Sequence, residues 1–240
     1  MMDKEIEYVK KYLPNDRWEE AISLIENGVS PQYVVGNVNF GGYIINVDKR
    51  VLIPRFETEL LVEKTKMYIK SLFKKRVEIL EIGTGSGCIA IYLKKETNCN
   101  VVAVDVSSDA LDVAKANASN NNVDIRFVCS NVFSNISGKF DVIISNPPYI
   151  SYDEEIEDIV IDNEPHIALY ASNDGLYYYD KILKDCSKYL NSNYLIAFDL
   201  GYRQGNRIKE LAYKYLGKDI DVNVLKDYSD RDRFVFISNK

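Results

Sequence analysis

Asn146-Pro147-Pro148-Tyr149 follows the strand-like run Phe140-Asp141-Val142-Ile143-Ile144-Ser145 and opens a polar stretch. Two prolines fix the backbone and remove two N–H donors. An asparagine amide and bare carbonyls are left to face whatever space the loop lines, with an aromatic ring as a wall. Such a site accepts both hydrogens of a planar NH2 group and stacks against its face, which suits chemistry on an amide or an exocyclic amine. Asn-Pro also opens ordinary turns, so the tetrapeptide by itself is compatible with either role.

A second constellation lies upstream. Val77-Glu78-Ile79-Leu80-Glu81-Ile82 runs into Gly83-Thr84-Gly85-Ser86-Gly87 and then Cys88-Ile89-Ala90-Ile91-Tyr92-Leu93. Glycines there let the backbone turn tightly and approach a ligand closely. The next strand-like run ends at Asp105, where the carboxylate of a nucleotide-binding βαβ unit faces the ribose hydroxyls. Strand before, helix after and acid beyond point to a nucleoside. The spacing is G-x-G-x-G; a dinucleotide pattern would need a small residue at Cys88. A cationic sulfonium with a carboxylate tail suits an acidic neighbourhood, and Glu81 lies just before the loop.

The elements that must position these residues alternate. Strands are expected at 77–82, 100–105, 124–129, 140–145, 194–199, 219–224 and 233–238, and helices at 58–73, 87–96, 108–120, 175–190 and 204–216. That alternation predicts a mostly parallel sheet covered on both faces. The last two strands lack a helix between them, so a hairpin with one antiparallel strand is expected there. Residues 1–36 read as one or two helices before the Gly28 and Pro31 breakers. Residues 37–53 read as a β-hairpin, and 54–240 as the α/β domain.

Composition sets the bounds. A chain of 240 residues, 46% of them apolar, buries one substantial core. A net charge of −6 and a pI near 5.0 argue against a protein living on bulk nucleic acid. The charged N-terminus lacks a signal-peptide core, and no apolar run approaches a membrane span. Four scattered cysteines form no C-x-x-C pair, and His166 is the single histidine. We expect a monomeric cytoplasmic protein without a structural metal.

Several further stretches resemble one family. E-x-G-x-G-x-G at the first strand, an acid after the second and N-P-P-Y after the fourth resemble the S-adenosylmethionine-dependent methyltransferases that act on amide or aromatic-amine nitrogen. Leu52-Ile53-Pro54-Arg55-Phe56-Glu57-Thr58-Glu59 is similar to the L-I-P-R-P-E-T-E segment of the HemK/PrmC protein-(glutamine-N5) methyltransferases of peptide chain release factors. Val35-Gly36-Asn37-Val38-Asn39-Phe40, Asn163-Glu164-Pro165-His166-Ile167-Ala168-Leu169, Asp174-Gly175-Leu176, Leu200-Gly201-Tyr202-Arg203-Gln204-Gly205 and Asp227-Tyr228 with Arg233 continue the likeness over residues 33–238.

The resemblance implies a Rossmann-like class I α/β methyltransferase with a seven-stranded, mostly parallel sheet, a short helical N-terminal segment and a β-hairpin. It implies S-adenosyl-L-methionine as cofactor and S-adenosyl-L-homocysteine as product. Gly83, Thr84, Gly85, Ser86 and Gly87 would wrap the methionine part, Asp105 the ribose, and Val132 with Asn131 the adenine. Asn146 would accept one hydrogen of a glutamine amide and the Pro147 carbonyl the other, with Pro148 beside them and Tyr149 stacked on the amide plane. The implied partner is the Gly-Gly-Gln loop of a release factor, without direct nucleic-acid binding. Phe56 stands for the family's proline, Asp199 for its glutamate, Asn131 for its acid, and residues 1–36 are about half the family's helical N-terminal domain. A ribosomal-protein glutamine methyltransferase and a DNA adenine or cytosine N-methyltransferase are the rival readings; the second would need a basic cleft and a target-recognition domain. The acidic run from Asp153 to Glu164 reads as a solvated face, Arg55 as a helix-start residue, and Tyr177-Tyr178-Tyr179 as packing.

Overall fold

A computed structural model of the chain describes residues 2–239. The N-terminal stretch forms three short helices, α1 (Met2–Tyr12), α2 (Trp18–Glu26) and α3 (Pro31–Val35), rather than the one or two expected. Helices this short are marginal alone. Val9, Ala21, Ile25 and Val34 meet in a small core of their own. Pro31 starts α3 in the position where its missing N–H costs nothing, and Gly36 ends it at φ 82°.

The hairpin β1 (Asn37–Phe40) and β2 (Tyr43–Asn46) turns at Gly41-Gly42, both at positive φ. Phe40 and Ile45 pass into the main core. A Cβ at Gly41 would meet the Tyr92 ring at 2.6 Å, so the glycine permits a close approach of the hairpin to that ring.

The rest follows the expected alternation: α4 (Phe56–Leu72), β3 (Val77–Ile82), α5 (Cys88–Glu96), β4 (Cys99–Asp105), α6 (Ser108–Asn120), β5 (Arg126–Cys129), β6 (Phe140–Ser145), α7 (Asp158–Asn163), α8 (Tyr177–Asp185), β7 (Leu190–Asp199), α9 (Gly205–Leu216), β8 (Ile220–Lys226) and β9 (Asp232–Asn239). The seven strands lie in the order β5-β4-β3-β6-β7-β9-β8, parallel except for β9, which is antiparallel to both neighbours. The terminal hairpin is therefore present. Two expectations shift: α8 stops at Asp185 and passes through a 3₁₀ turn, so β7 begins at Leu190, and α7 was not foreseen.

Alternating strand residues feed two cores. Ile79, Val101, Val142, Leu195 and Phe236 face α4 and α5, whereas Leu80, Ile143, Ile196, Phe198 and Val235 face α8 and α9. Chain order reverses between β3 and β6, which are neighbours. In such sheets ligands sit in the crevice beyond the carboxyl ends of the strands at that switch point. The glycine loop leaves β3 there and Asn146 leaves β6. No helix among the described residues is long and apolar enough to cross a membrane.

Candidate active site

The glycine loop holds Gly83 at φ 75° and Gly85 at φ 52°, in the left-handed region that side chains rarely adopt. Its backbone is anchored from β4. The Gly85 N–H donates to Asp105 Oδ2 at 2.9 Å, and the Ser107 N–H to Asp105 Oδ1 at 2.9 Å. Beneath the loop the Thr84 hydroxyl donates to Glu81 Oε2 at 2.8 Å. Glu81 is fully buried and its Oε1 has no partner among the described residues. Burial pushes its carboxyl up to about 8. Gly83 through Ser86 and Asp105 line a cleft of about 280 Å³. Gly87, expected among the ligand-wrapping residues, is not on its wall. It precedes α5, and a Cβ there would meet Ala114 at 3.1 Å, so its smallness serves the packing of α5 on α6.

Asn131 and Val132 close one end of the cleft. The Asn131 Oδ1 accepts from Lys181 Nζ at 2.7 Å, so a cation on α8 joins the amide at this position. Val132 is buried at φ 57°, an unusual conformation for a β-branched residue that costs on the order of 1–3 kcal/mol. The buried Ser130 hydroxyl donates to the Val132 carbonyl at 2.9 Å and holds the turn. Tyr178, expected only to pack, lines the cleft as well, while Tyr179 is fully buried. The three consecutive tyrosines thus face different surroundings because helical positions turn with each residue.

At the end of β6 the Ser145 hydroxyl donates to the Ile82 carbonyl at 2.6 Å and fastens the two strand ends together. Asn146 Nδ2 donates to Thr58 Oγ1 at 3.0 Å, and Thr58 Oγ1 donates to Asp199 Oδ2 at 3.3 Å. Asp199 is fully buried, with Arg233 Nε 3.2 Å from its Oδ1. Burial pushes the Asp199 carboxyl up to about 7, opposed by the Arg233 charge. Arg233 Nη2 also donates to Tyr149 Oη at 2.9 Å, with the guanidinium 5.5 Å from the ring centroid. Burial raises the Tyr149 phenol to about 12, so it stays neutral.

Tyr149 lies away from the first cleft. It borders a second cavity of about 600 Å³ with Ile150, Ile156, Val160 and Leu169 as apolar walls and Glu155 and Glu157 among its residues. The two cavities share Leu52, Arg55, Asn146, Pro147 and Ala168. Asn146 and Pro147 therefore stand at their junction. Pro148, expected with the acceptor side chains, borders only the first cavity, since successive residues of an extended loop point to opposite sides. Asn146 Oδ1 and the Pro147 carbonyl accept no hydrogen bond among the described residues.

Arg55 does more than start a helix. Its side chain caps nothing in α4 and instead pairs with Glu164 Oε1 at 2.5 Å, while the Ile53 N–H donates to Glu164 Oε2 at 3.2 Å. Glu164 is buried at the end of the acidic run, so that run is not wholly a solvated face. Phe56 sits at the first position of α4 with its ring stacked on Tyr228, 6.1 Å between centroids. His166 hydrogen-bonds the Ile161 carbonyl and borders neither cavity. Sequence reading missed Thr58, Asp199 and Arg233 as parts of the site. Thr58 and Arg233 were signalled only by membership in the quoted L-I-P-R and C-terminal stretches, and Asp199 only as the residue standing for the family's glutamate.

The Methyltransferase small domain model matches residues 56–164. The release factor glutamine methyltransferase of Streptococcus pneumoniae is 42% identical to this chain over 211 residues, 87% of the chain and 74% of that protein. The chain belongs to the release factor glutamine methyltransferase family. The Bacillus subtilis release factor glutamine methyltransferase is 36% identical over 91% of the chain and 78% of its own length. Among solved structures, a methyltransferase from Pyrococcus furiosus superposes with a TM-score of 0.61 at 25% identity, covering 82% of this chain and 89% of that one. The α/β class I methyltransferase expectation is thereby met. As a member of the release factor glutamine methyltransferase family, the chain is a methyl-transferring enzyme.

Proposed function

We propose that this chain transfers a methyl group from S-adenosyl-L-methionine to the side-chain amide nitrogen of the glutamine in the Gly-Gly-Gln loop of a peptide chain release factor. The observation that carries this reading is the junction of two cavities at Asn146-Pro147, with two acceptor oxygens unclaimed by the protein. The first cavity fits the cofactor. The Gly83 and Gly85 backbone leaves room, Val132 and Tyr178 offer apolar faces to a base, and each Asp105 oxygen spends one hydrogen bond on a backbone N–H. Its remaining lone pairs can accept from ribose hydroxyls. When bound, the cofactor supplies an electrophilic methyl carbon.

An amide nitrogen is a poor nucleophile because its lone pair is delocalised into the carbonyl. Asn146 Oδ1 accepts one of its hydrogens and the Pro147 carbonyl the other, which polarises the nitrogen and turns its face toward the first cavity. Tyr149, locked by Arg233, walls the second cavity against the flat side of the amide. Catalysis is then mainly positioning and electrostatics. The nitrogen loses its proton to solvent after transfer, and no strong base is needed. The enzyme acts as a cytoplasmic monomer on protein, without direct contact to nucleic acid, and residues 54–240 form the catalytic unit.

The test is transfer of labelled methyl from the cofactor to three substrates: intact release factor, ribosomal protein and DNA oligonucleotides. Release factor alone should be labelled. Asn146→Ala should lower turnover about 100-fold, as loss of a single preorganised polar group does. Labelled DNA with unlabelled release factor would replace this reading with the DNA one.

A further inference from the structure

The Asn146 amide has two ends of nearly equal size and opposite chemistry: an oxygen that accepts and an NH2 that donates. Shape alone cannot choose between them. A substrate NH2 group meets an acceptor in one orientation and another donor in the reverse one. We infer that Thr58 and Asp199 are positioning residues whose hydrogen bonds fix the Asn146 amide with its oxygen toward the substrate cavity. This rests on the proposed reading of the site for its consequence in turnover, not for the relay itself.

The direction follows from the chain of contacts. Asp199 lies at the end of β7, buried on every side, and its Oδ2 stands 3.3 Å from Thr58 Oγ1. Above about pH 7 the Asp199 carboxyl is ionised and only accepts, and the Arg233 charge 3.2 Å from Oδ1 favours that ionised form. The one Thr58 hydroxyl hydrogen is thereby committed to Asp199. The Thr58 oxygen must then accept, and the partner at 3.0 Å is Asn146 Nδ2. With its NH2 held on that side, Asn146 presents Oδ1 to the junction of the cavities. Both supports are rigid: Thr58 is 2% exposed in the first turn of α4, and the Asp199 carbonyl accepts from Tyr179 Oη at 2.8 Å. Residues from α4, β6 and β7 thus set one rotamer.

Thr58→Val is nearly isosteric and removes both ends of the relay, whereas Thr58→Ser keeps the hydroxyl. Asp199→Asn reverses the chain, since its NH2 can donate to Thr58 and free the hydroxyl to donate to Asn146 Oδ1. Hydrogen exchange of the Asn146 side-chain NH2, read by nuclear magnetic resonance, needs no substrate. Slow exchange is expected in the wild type and Thr58→Ser, and fast exchange in Thr58→Val. With release factor as substrate, kcat of Thr58→Val should fall about 30-fold or more, with Thr58→Ser near wild type, because an orienting polar contact is lost. The dissociation constant for S-adenosyl-L-homocysteine should move less than about threefold, separating orientation from cofactor binding. Unchanged exchange in Thr58→Val, or full turnover in that variant, overturns the relay. Fast exchange in Thr58→Val with no labelling of release factor by the wild type would uphold the relay and reject the substrate.

Discussion

Replacing Asp105 with alanine is the sharpest probe of the cofactor cleft. Its two oxygens take the Gly85 and Ser107 N–H groups at 2.9 Å each, and its free lone pairs face the cleft. Hydrogen bonds to charged groups contribute about 1.5–3 kcal/mol each, and the low end applies because Asp105 is only half-buried. One ribose contact accounts for about 1.5 kcal/mol, and re-ordering a loop that has lost its anchor adds about as much again. The sum of about 3 kcal/mol weakens cofactor binding roughly 100-fold, at 1.4 kcal/mol for each factor of ten. Titration calorimetry with S-adenosyl-L-homocysteine measures it directly on wild type, Asp105→Ala and Asp105→Asn. The asparagine variant keeps one acceptor but turns an NH2 toward the other N–H, so its loss should also exceed tenfold. Binding by Asp105→Ala within about threefold of wild type would refute the assignment, because even one contact at the low end of that range is worth about tenfold.

Three other outcomes follow from the structure. Glu164→Ala should cost about 2 kcal/mol in urea unfolding, less than the 3–5 kcal/mol of a wholly buried pair because the Arg55 side chain is 34% exposed; an unchanged midpoint would contradict the clasp. Gly175→Ala should lose folded protein or most turnover, since at φ 78° its Cβ would fall 2.0 Å from the Tyr149 carbonyl oxygen. Normal melting and kinetics would show that this backbone can move. Glu81 and Asp199 keep their protons in the folded state to about 8 and about 7, but lose them near 4.5 and 3.8 when unfolded. Between those limits the folded state binds more protons, so their contribution makes ligand-free stability fall as pH rises from about 4 to about 8. Asp105 and Thr84 face Glu81, while Arg233, Glu57, Tyr149 and Tyr179 face Asp199. Glu81→Gln should flatten the decline in melting temperature across pH 5–8; a slope equal to wild type would show that Glu81 ionises freely.

The parts of the fold legible in the sequence were those with continuous local signals. β3 and β6 are buried almost throughout and rich in Val, Ile and Leu despite Glu78, Glu81 and Asp141, and the glycine loop and the tetrapeptide mark their carboxyl ends. α7 was hidden because six residues within an acidic run show no reliable periodicity. The three N-terminal helices are set by a shared miniature core that no single segment displays. Asn146, Thr58 and Asp199 meet across separations of 88 and 141 residues, which leave no short-range pattern. Glu164 looks like its exposed acidic neighbours until Arg55 and the Ile53 N–H are seen around it. Gly87 lies off the cleft wall and Tyr178 on it, since facing a cleft or a helix depends on how α5 and α8 dock.

The central claim is that the methyl group arrives on one amide nitrogen, held at Asn146-Pro147. Tandem mass spectrometry of release factor incubated with the wild-type enzyme and S-adenosyl-L-methionine locates it. The account predicts a single methyl on the side chain of the Gly-Gly-Gln glutamine, formed about 100-fold more slowly with Asn146→Ala. A methyl on any other residue of the release factor, or equal modification by Asn146→Ala, would contradict it.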